Sequence, residues 1–346
     1  MTKEYSNAIK GIAILMMLFY HLFNDPVTSA GLFSLVSFGG VSLPYLLTRA
    51  AGPVEFFLIL GGYGLYSIYK RGDDPNRLRR IWRCYRVYWL CLVVFVPLAC
   101  WLTDDPIYPG TLENAFLSVT GIYPTWYMEA WFLLPYLMLS AAYPLLMRLL
   151  ERRGSAATLA LSLVVYTFTV VLTQRDWIDL GQHSPYAQPV VRFLQFLLPF
   201  CIGAVMKKER LLERLRQSGL FGNRLPVALL LLAVVAARIC SVTYFFVAPI
   251  YATAVVILLY LLRLRGSVLR FFAHLGKYSL YMWLVHAWLY KYLFDGLIYR
   301  LHYPLAIFLV LVLASYAVSR LLAADRKNTL SRHFSVFLVS FFGCFV

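Results

Sequence analysis

NAIKGIAILMMLFYHLF, residues 7–23, is apolar over the length of a membrane crossing except at two positions, Lys10 and His21. The two are 11 residues apart, so at about 100° and 1.5 Å per residue their side chains share one helix face about 16 Å apart along the axis. An ionisable group inside a membrane segment costs about 2.5 kcal/mol or more at the bilayer centre on insertion scales, which makes such a pair a candidate polar track. The alternative is interfacial: Lys10 snorkels to one surface of the bilayer and His21 sits at the other.

Working outward, apolar runs of similar length recur at roughly residues 6–24, 44–69, 82–102, 126–147, 155–173, 190–206, 225–243, 244–262, 271–294 and 303–323, each able to cross about 30 Å of hydrocarbon. With 61% hydrophobic and only 14% charged residues, the 346-residue chain reads as an all-α polytopic membrane protein of about ten transmembrane helices. Residues 1–333 form one integral-membrane domain, and the apolar tail 334–346 is too short for a span and is expected to be re-entrant or interfacial.

A net charge of +16 would suggest nucleic acid in a soluble protein. Here 26 of the 32 Lys and Arg residues fall in alternate loops and at the termini, the positive-inside pattern, which puts both termini in the cytoplasm and requires an even number of spans. Nucleic acid is not needed to explain the charge. The six cysteines lie mostly in apolar runs without Cys-x-x-Cys spacing, so they read as packing residues, not as a disulfide frame or metal site. No cleavage site follows the first apolar run, so it is read as a signal anchor.

In RLRRIWRCYRVYW (77–89), Arg83 and Arg86 lie among Trp82, Tyr85, Tyr88 and Trp89. Paired guanidiniums at headgroup level suit phosphate, through bidentate hydrogen bonds, or anionic lipid headgroups. Helix 2 carries Glu55 near its outer end, within reach of the depth of His21. Its Gly61, Gly62 and Gly64 allow close approach of another helix or of a ligand. TWYMEAWFLLPYL, from Thr125, supplies Trp126 and Tyr127, either an aromatic belt or faces for a sugar ring, and a candidate acid, Glu129. GKYSLYMWLVHAWLY (276–290) adds His286, either a hydrogen-bonded core residue or a participant in the chemistry.

The chain has no Gly-rich phosphate loop, no metal-ligand spacing and no Gly-x-Ser-x-Gly elbow. What is left is a polar line with phosphate-suited arginines at one end and a histidine toward the other.

IKGIAILMMLFYHLF (9–23), FFLILGGYGL (56–65) and the Arg83-x-x-Arg86 pair, with the landmarks around Glu129 and His286, resemble the acyltransferase family 3 membrane proteins, bacterial enzymes that modify surface glycans. The likeness covers most of the chain in order. It departs at Lys10, where the family usually has Arg; lysine keeps the charge but loses the bidentate fork. The resemblance implies a bacterial inner-membrane, multi-pass O-acyltransferase with acyl-coenzyme A, most often acetyl, as co-substrate and no metal. It implies a glycan or lipid-linked sugar as acceptor, among membrane lipids, and leaves a homo-oligomer open. It places His21 as general base or acyl carrier, with Glu129 and His286 in the catalytic set. Lys10, Arg83 and Arg86 hold the coenzyme A phosphates, and Glu55, Trp126 and Tyr127 face the acceptor. The competing class is a proton-coupled transporter or glycan-export component using the same polar residues.

Overall fold

The computed structural model describes residues 1–33, 36–38, 40–72, 74–178, 180, 184–219, 221–241, 247–294 and 296–324; the predicted tail 334–346 lies outside them. In chain order the helices are α1 (Lys3–Phe23), α2 (Pro26–Ala30), α3 (Leu43–Thr48), α4 (Val54–Tyr69), α5 (Arg77–Leu102), α6 (Leu112–Thr120), α7 (Leu133–Gln174), α8 (Ala187–Lys208), α9 (Leu211–Gln217), α10 (Arg224–Cys240), α11 (Val247–Leu261), α12 (Gly266–Ala287) and α13 (Pro304–Ala324). Among the described residues the only strands are the two-residue pair Ser37–Phe38 and Val41–Ser42.

Each of the ten predicted apolar runs overlaps a helix among the described residues, although run 44–69 is interrupted between α3 and α4. Among the described residues, five helical stretches are long and apolar enough by themselves to cross a membrane: Lys3–Phe23, Arg77–Leu102, Met128–Gln174, Ala187–Lys208 and Pro304–Ala324. The 47-residue member contains two predicted runs, and its backbone breaks between them at Gly154, with φ 81° and ψ 170°. Only glycine adopts that conformation without strain. Val54–Tyr69 and Val247–Leu261 are also apolar but shorter.

Two helix pairs pack backbone to backbone, and each is licensed by two glycines. A Cβ at Gly62 of α4 would lie 1.9 Å from the Phe200 carbonyl oxygen of α8, and one at Gly203 of α8 would lie 1.9 Å from that of Ile59. Of the three glycines singled out in helix 2, Gly62 is the one that admits a backbone; Gly64 faces open space. The second pair went unrecognised in the sequence. A Cβ at Gly11 of α1 would lie 2.0 Å from the Phe272 carbonyl of α12, and one at Gly276 would lie 1.9 Å from that of Asn7. Crossings of this kind suit a lipid setting, where close van der Waals contact has to replace the hydrophobic drive between helices. Helix α1 is closed at its start by Thr2, whose side chain accepts from the Tyr5 amide at 3.2 Å, with Glu4 in the first turn, where a negative charge complements the helix dipole.

Candidate active site

The Gly11–Gly276 contact sets the site. His21 is ten residues beyond Gly11 and His286 ten beyond Gly276, and α1 and α12 run parallel from their crossing. Ten residues carry both helices forward by about 15 Å and through the same rotation, so the two imidazoles meet, with ring centroids 5.1 Å apart. Sequence reading put each histidine on its own helix; the structure brings them together.

They differ in their surroundings. His286 is fully buried. Its Nδ1 lies 2.7 Å from the carbonyl oxygen of Trp283 and 3.2 Å from the hydroxyl of Tyr127, which itself donates to the same carbonyl at 2.7 Å. A carbonyl only accepts, so the Nδ1 carries the proton and the Nε2 is left as a bare acceptor. That Nε2 has no partner among the described residues. His21 is half-buried and lines an open cleft of about 210 Å³ together with Met128, Glu129, Trp131, Gln188 and Arg192.

Glu129 lies in a 3₁₀ turn, Met128–Phe132, that leads into α7. It is 7% exposed, and both carboxylate oxygens are engaged. Lys291 donates to one at 2.9 Å and the Tyr292 hydroxyl to the other at 2.7 Å. The Glu129 carbonyl accepts from the Trp283 indole at 3.0 Å. Lys291 and Tyr292 come from a π-helical turn, Trp288–Tyr292, that prolongs α12; a wider turn of this sort inserts an extra residue and re-aims the side chains after it. Glu129 and Lys291 both act electrostatically on His21. The site thus joins two imidazoles to a carboxylate already matched by an ammonium.

The other residues read from the sequence are placed elsewhere. Trp126 and Tyr127 are each 1% exposed. Trp126 sits in the core, its indole donating to the carbonyls of Ile107 and Pro109 at 3.1 and 3.0 Å. Tyr127 stacks on Trp288 at 5.3 Å and 16°, and Trp288 on Phe95 at 5.4 Å and 10°. Neither Trp126 nor Tyr127 lines the cleft; Tyr127 touches the site through His286. Glu55, at the start of α4, has Arg238 and Tyr166 within electrostatic range and is not a cleft residue.

At the other end of α1, Lys10 and Arg83 flank Cys84 of α5, with Arg80 also in range. Arg83 and Arg86 are exposed, and among the described residues neither is engaged by a carboxylate. Arg80, by contrast, pairs with Asp74 in the α4–α5 connection, through Oδ1 at 2.8 Å and through Oδ2, and Tyr143 donates to Asp74 at 2.6 Å. Of the arginine series at three-residue intervals, Arg80 is therefore structural, while Arg83 and Arg86 form no ion pair among the described residues.

Sequence reading missed four site residues: Gln188, Arg192, Lys291 and Tyr292. A signal for two of them existed. Arg192 and Lys291 belong to the six basic residues that break the positive-inside pattern, and a cation on the basic-poor side of a membrane helix calls for a partner.

No curated protein and no solved structure matches the chain. The model of acyltransferase family 3, described as an acyltransferase domain, matches residues 3–324, nearly the whole sequence, and the protein belongs to that family.

Proposed function

We propose that the protein transfers an acyl group, acetyl foremost, from acyl-coenzyme A to a hydroxyl of a cell-surface glycan or its lipid-linked precursor, across the bacterial inner membrane. In this reading both termini are cytoplasmic, ten helices cross the bilayer, and the His21 cleft opens toward the outer side. The observation that carries it is His21: an imidazole in the cleft wall that forms no hydrogen bond among the described residues, with His286 at its side and a charge-matched carboxylate near it.

The donor's phosphates dock on Arg83 and Arg86, with Lys10 adding charge but no fork. The distance from Lys10 to His21, about 16 Å along α1, is comparable with the reach of a pantetheine arm. The acceptor hydroxyl gives its proton to His21 as its oxygen attacks the thioester carbonyl. The new ester C–O bond forms, the C–S bond breaks, and the proton passes from His21 to the departing thiolate, which leaves as coenzyme A thiol. In the covalent variant a His21 nitrogen attacks the thioester, the C–S bond breaks and coenzyme A leaves as the thiol with the imidazole proton. The acceptor hydroxyl then attacks the acyl-imidazole, forming the ester C–O bond, breaking the C–N bond and returning its proton to the imidazole. His286, whose Nδ1 proton is held by the Trp283 carbonyl, keeps a bare Nε2 beside His21.

Purified full-length protein mixed with labelled acetyl-coenzyme A, with and without host glycan extract, tests this. His21→Ala should keep donor binding and lose about 10²- to 10⁴-fold in transfer, the range of general acid–base catalysis. Acyl label on His21 with donor alone selects the covalent variant. No donor binding by the wild type, or an unchanged rate in His21→Ala, overturns the reading and favours transport.

A further inference from the structure

Arg192 lies on α8, five residues in from Ala187, and its guanidinium is held on two sides. Its Nη1 donates to the Gln195 side-chain oxygen at 3.1 Å, and the Gln195 amide is itself anchored on α7, donating to the Thr173 hydroxyl at 3.3 Å. The guanidinium lies over the Trp131 ring at 4.9 Å from its centroid, a cation–π arrangement that fixes the plane of the fork. Its Nε is buried and has no partner among the described residues, and none of their carboxylates pairs with it. Gln188, four residues earlier and so on the same helix face, lines the same cleft.

Charge decides what such an arrangement is for. Within the cleft Glu129 is matched by Lys291, so, counting the imidazoles as neutral, Arg192 leaves one positive charge uncompensated. A guanidinium that is half-buried, immobilised and unmatched among the described residues is a costly feature in a membrane protein unless an anion completes it. The planar fork favours an oxyanion that can accept two parallel hydrogen bonds, a carboxylate or a phosphate.

We infer that Arg192, with Gln188, holds an oxyanion of the acceptor, so that the hydroxyl acylated at His21 belongs to a negatively charged sugar unit, either a uronate or one bearing phosphate. The inference rests on the acyltransferase reading for the word acceptor, but the anion site stands on its own geometry. Neutral sugars lacking the oxyanion bind more weakly because they leave the guanidinium unpaired.

The test is a binding measurement that uses no donor. Full-length protein in phosphatidylcholine nanodiscs is titrated with glucuronate, galacturonate and glucose 1-phosphate, against the neutral sugars that lack the oxyanion: methyl glucoside for the first and third, methyl galactoside for the second. At least one charged probe should bind about ten-fold or more tightly than its neutral partner, the preference should shrink with added salt, and Arg192→Gln should abolish it. Arg192→Lys should recover only part of it, because charge returns without the fork. The wild-type comparison needs no variant, so a misfolded substitution does not block the result. Absence of charge preference in all three pairs overturns the inference. So does selective retention of phosphatidylglycerol from mixed nanodiscs by wild type over Arg192→Gln without sugar discrimination, which assigns Arg192 to a lipid headgroup. Donor binding and transfer measured on the same preparations separate the readings. A charge preference in protein that ignores acetyl-coenzyme A keeps the anion site and removes the transferase; the reverse removes only the anion site.

Discussion

Glu129 and Lys291 show how much of the site depends on one contact. The carboxylate is 6% exposed and the ammonium 48%, so removing the lysine leaves a buried negative charge with only Tyr292 for support, whereas removing the acid leaves a cation that can still reach water. Breaking a fully buried pair costs about 3–5 kcal/mol, and a half-exposed partner puts this one near the lower end. Lys291→Met is therefore expected to lower thermal stability more than Glu129→Gln, and the double variant to be more stable than Lys291→Met alone. Thermal unfolding of the four proteins in one detergent checks this. Strict additivity would mean that the two side chains do not act as a pair.

At the level of elements, the contact between α1 and α12 is what turns two separate histidines into one site. The prediction is geometric. His21→Cys with His286→Cys should be bridged by a short bifunctional thiol reagent, since the native rings meet with centroids 5.1 Å apart, and adding Gly11→Leu should abolish the cross-link, because a Cβ there meets a carbonyl at 2.0 Å. In the native background Gly11→Leu should reduce transfer at least ten-fold, in line with the loss expected when reacting groups are misplaced by about 1 Å. Gly64→Ala, which faces open space, serves as the neutral control; an effect there equal to that at Gly11 would refute a specific role for the crossing.

How much was legible follows the same division. Composition and run length give the helices, because membrane-length apolar segments are a one-dimensional signal. The spacing of Lys10 and His21 puts both on one face of α1, and that of Arg83 and Arg86 puts them one turn apart on α5. The meeting of His21 with His286 was not legible, because Gly11 and Gly276 lie 265 positions apart and each alone reads as an ordinary membrane glycine. The Glu129 clamp was hidden for another reason: Lys291 and Tyr292 reach it only through a π turn, which leaves no periodicity to read. Trp126 had the look of an interfacial aromatic, and the loop carbonyls that take its indole proton come from a segment with no pattern of its own.

For the whole molecule, the charge pattern and the parallel contact of α1 with α12 belong together: two parallel spans need an odd number of crossings between them, as the ten-span reading supplies. The basic end is tied down by Asp74, whose carboxyl the Arg80 guanidinium, helped by the Tyr143 hydroxyl, holds well below the usual range, at about 2. A carboxyl with a depressed folded pKa contributes stability that is fully present above its unfolded value near 3.9 and is lost as pH falls through the folded value. The gap in melting temperature between wild type and Asp74→Asn should therefore be constant above about pH 5 and close as pH is taken toward about 2. A gap independent of pH would show that Asp74 acts through hydrogen bonding alone.

The π turn after α12 has one more consequence. Its extra residue offsets everything downstream by about 100° relative to a regular helix. Deleting a single residue between Ala287 and Lys291 would restore regular winding, keep the composition and hydropathy of the segment, and swing both Lys291 and Tyr292 off Glu129. Related sequences that lack this one position would pass as intact by every measure of membrane topology and yet carry an unclamped acid, so a gap of one in that segment marks a change in chemistry, not in architecture.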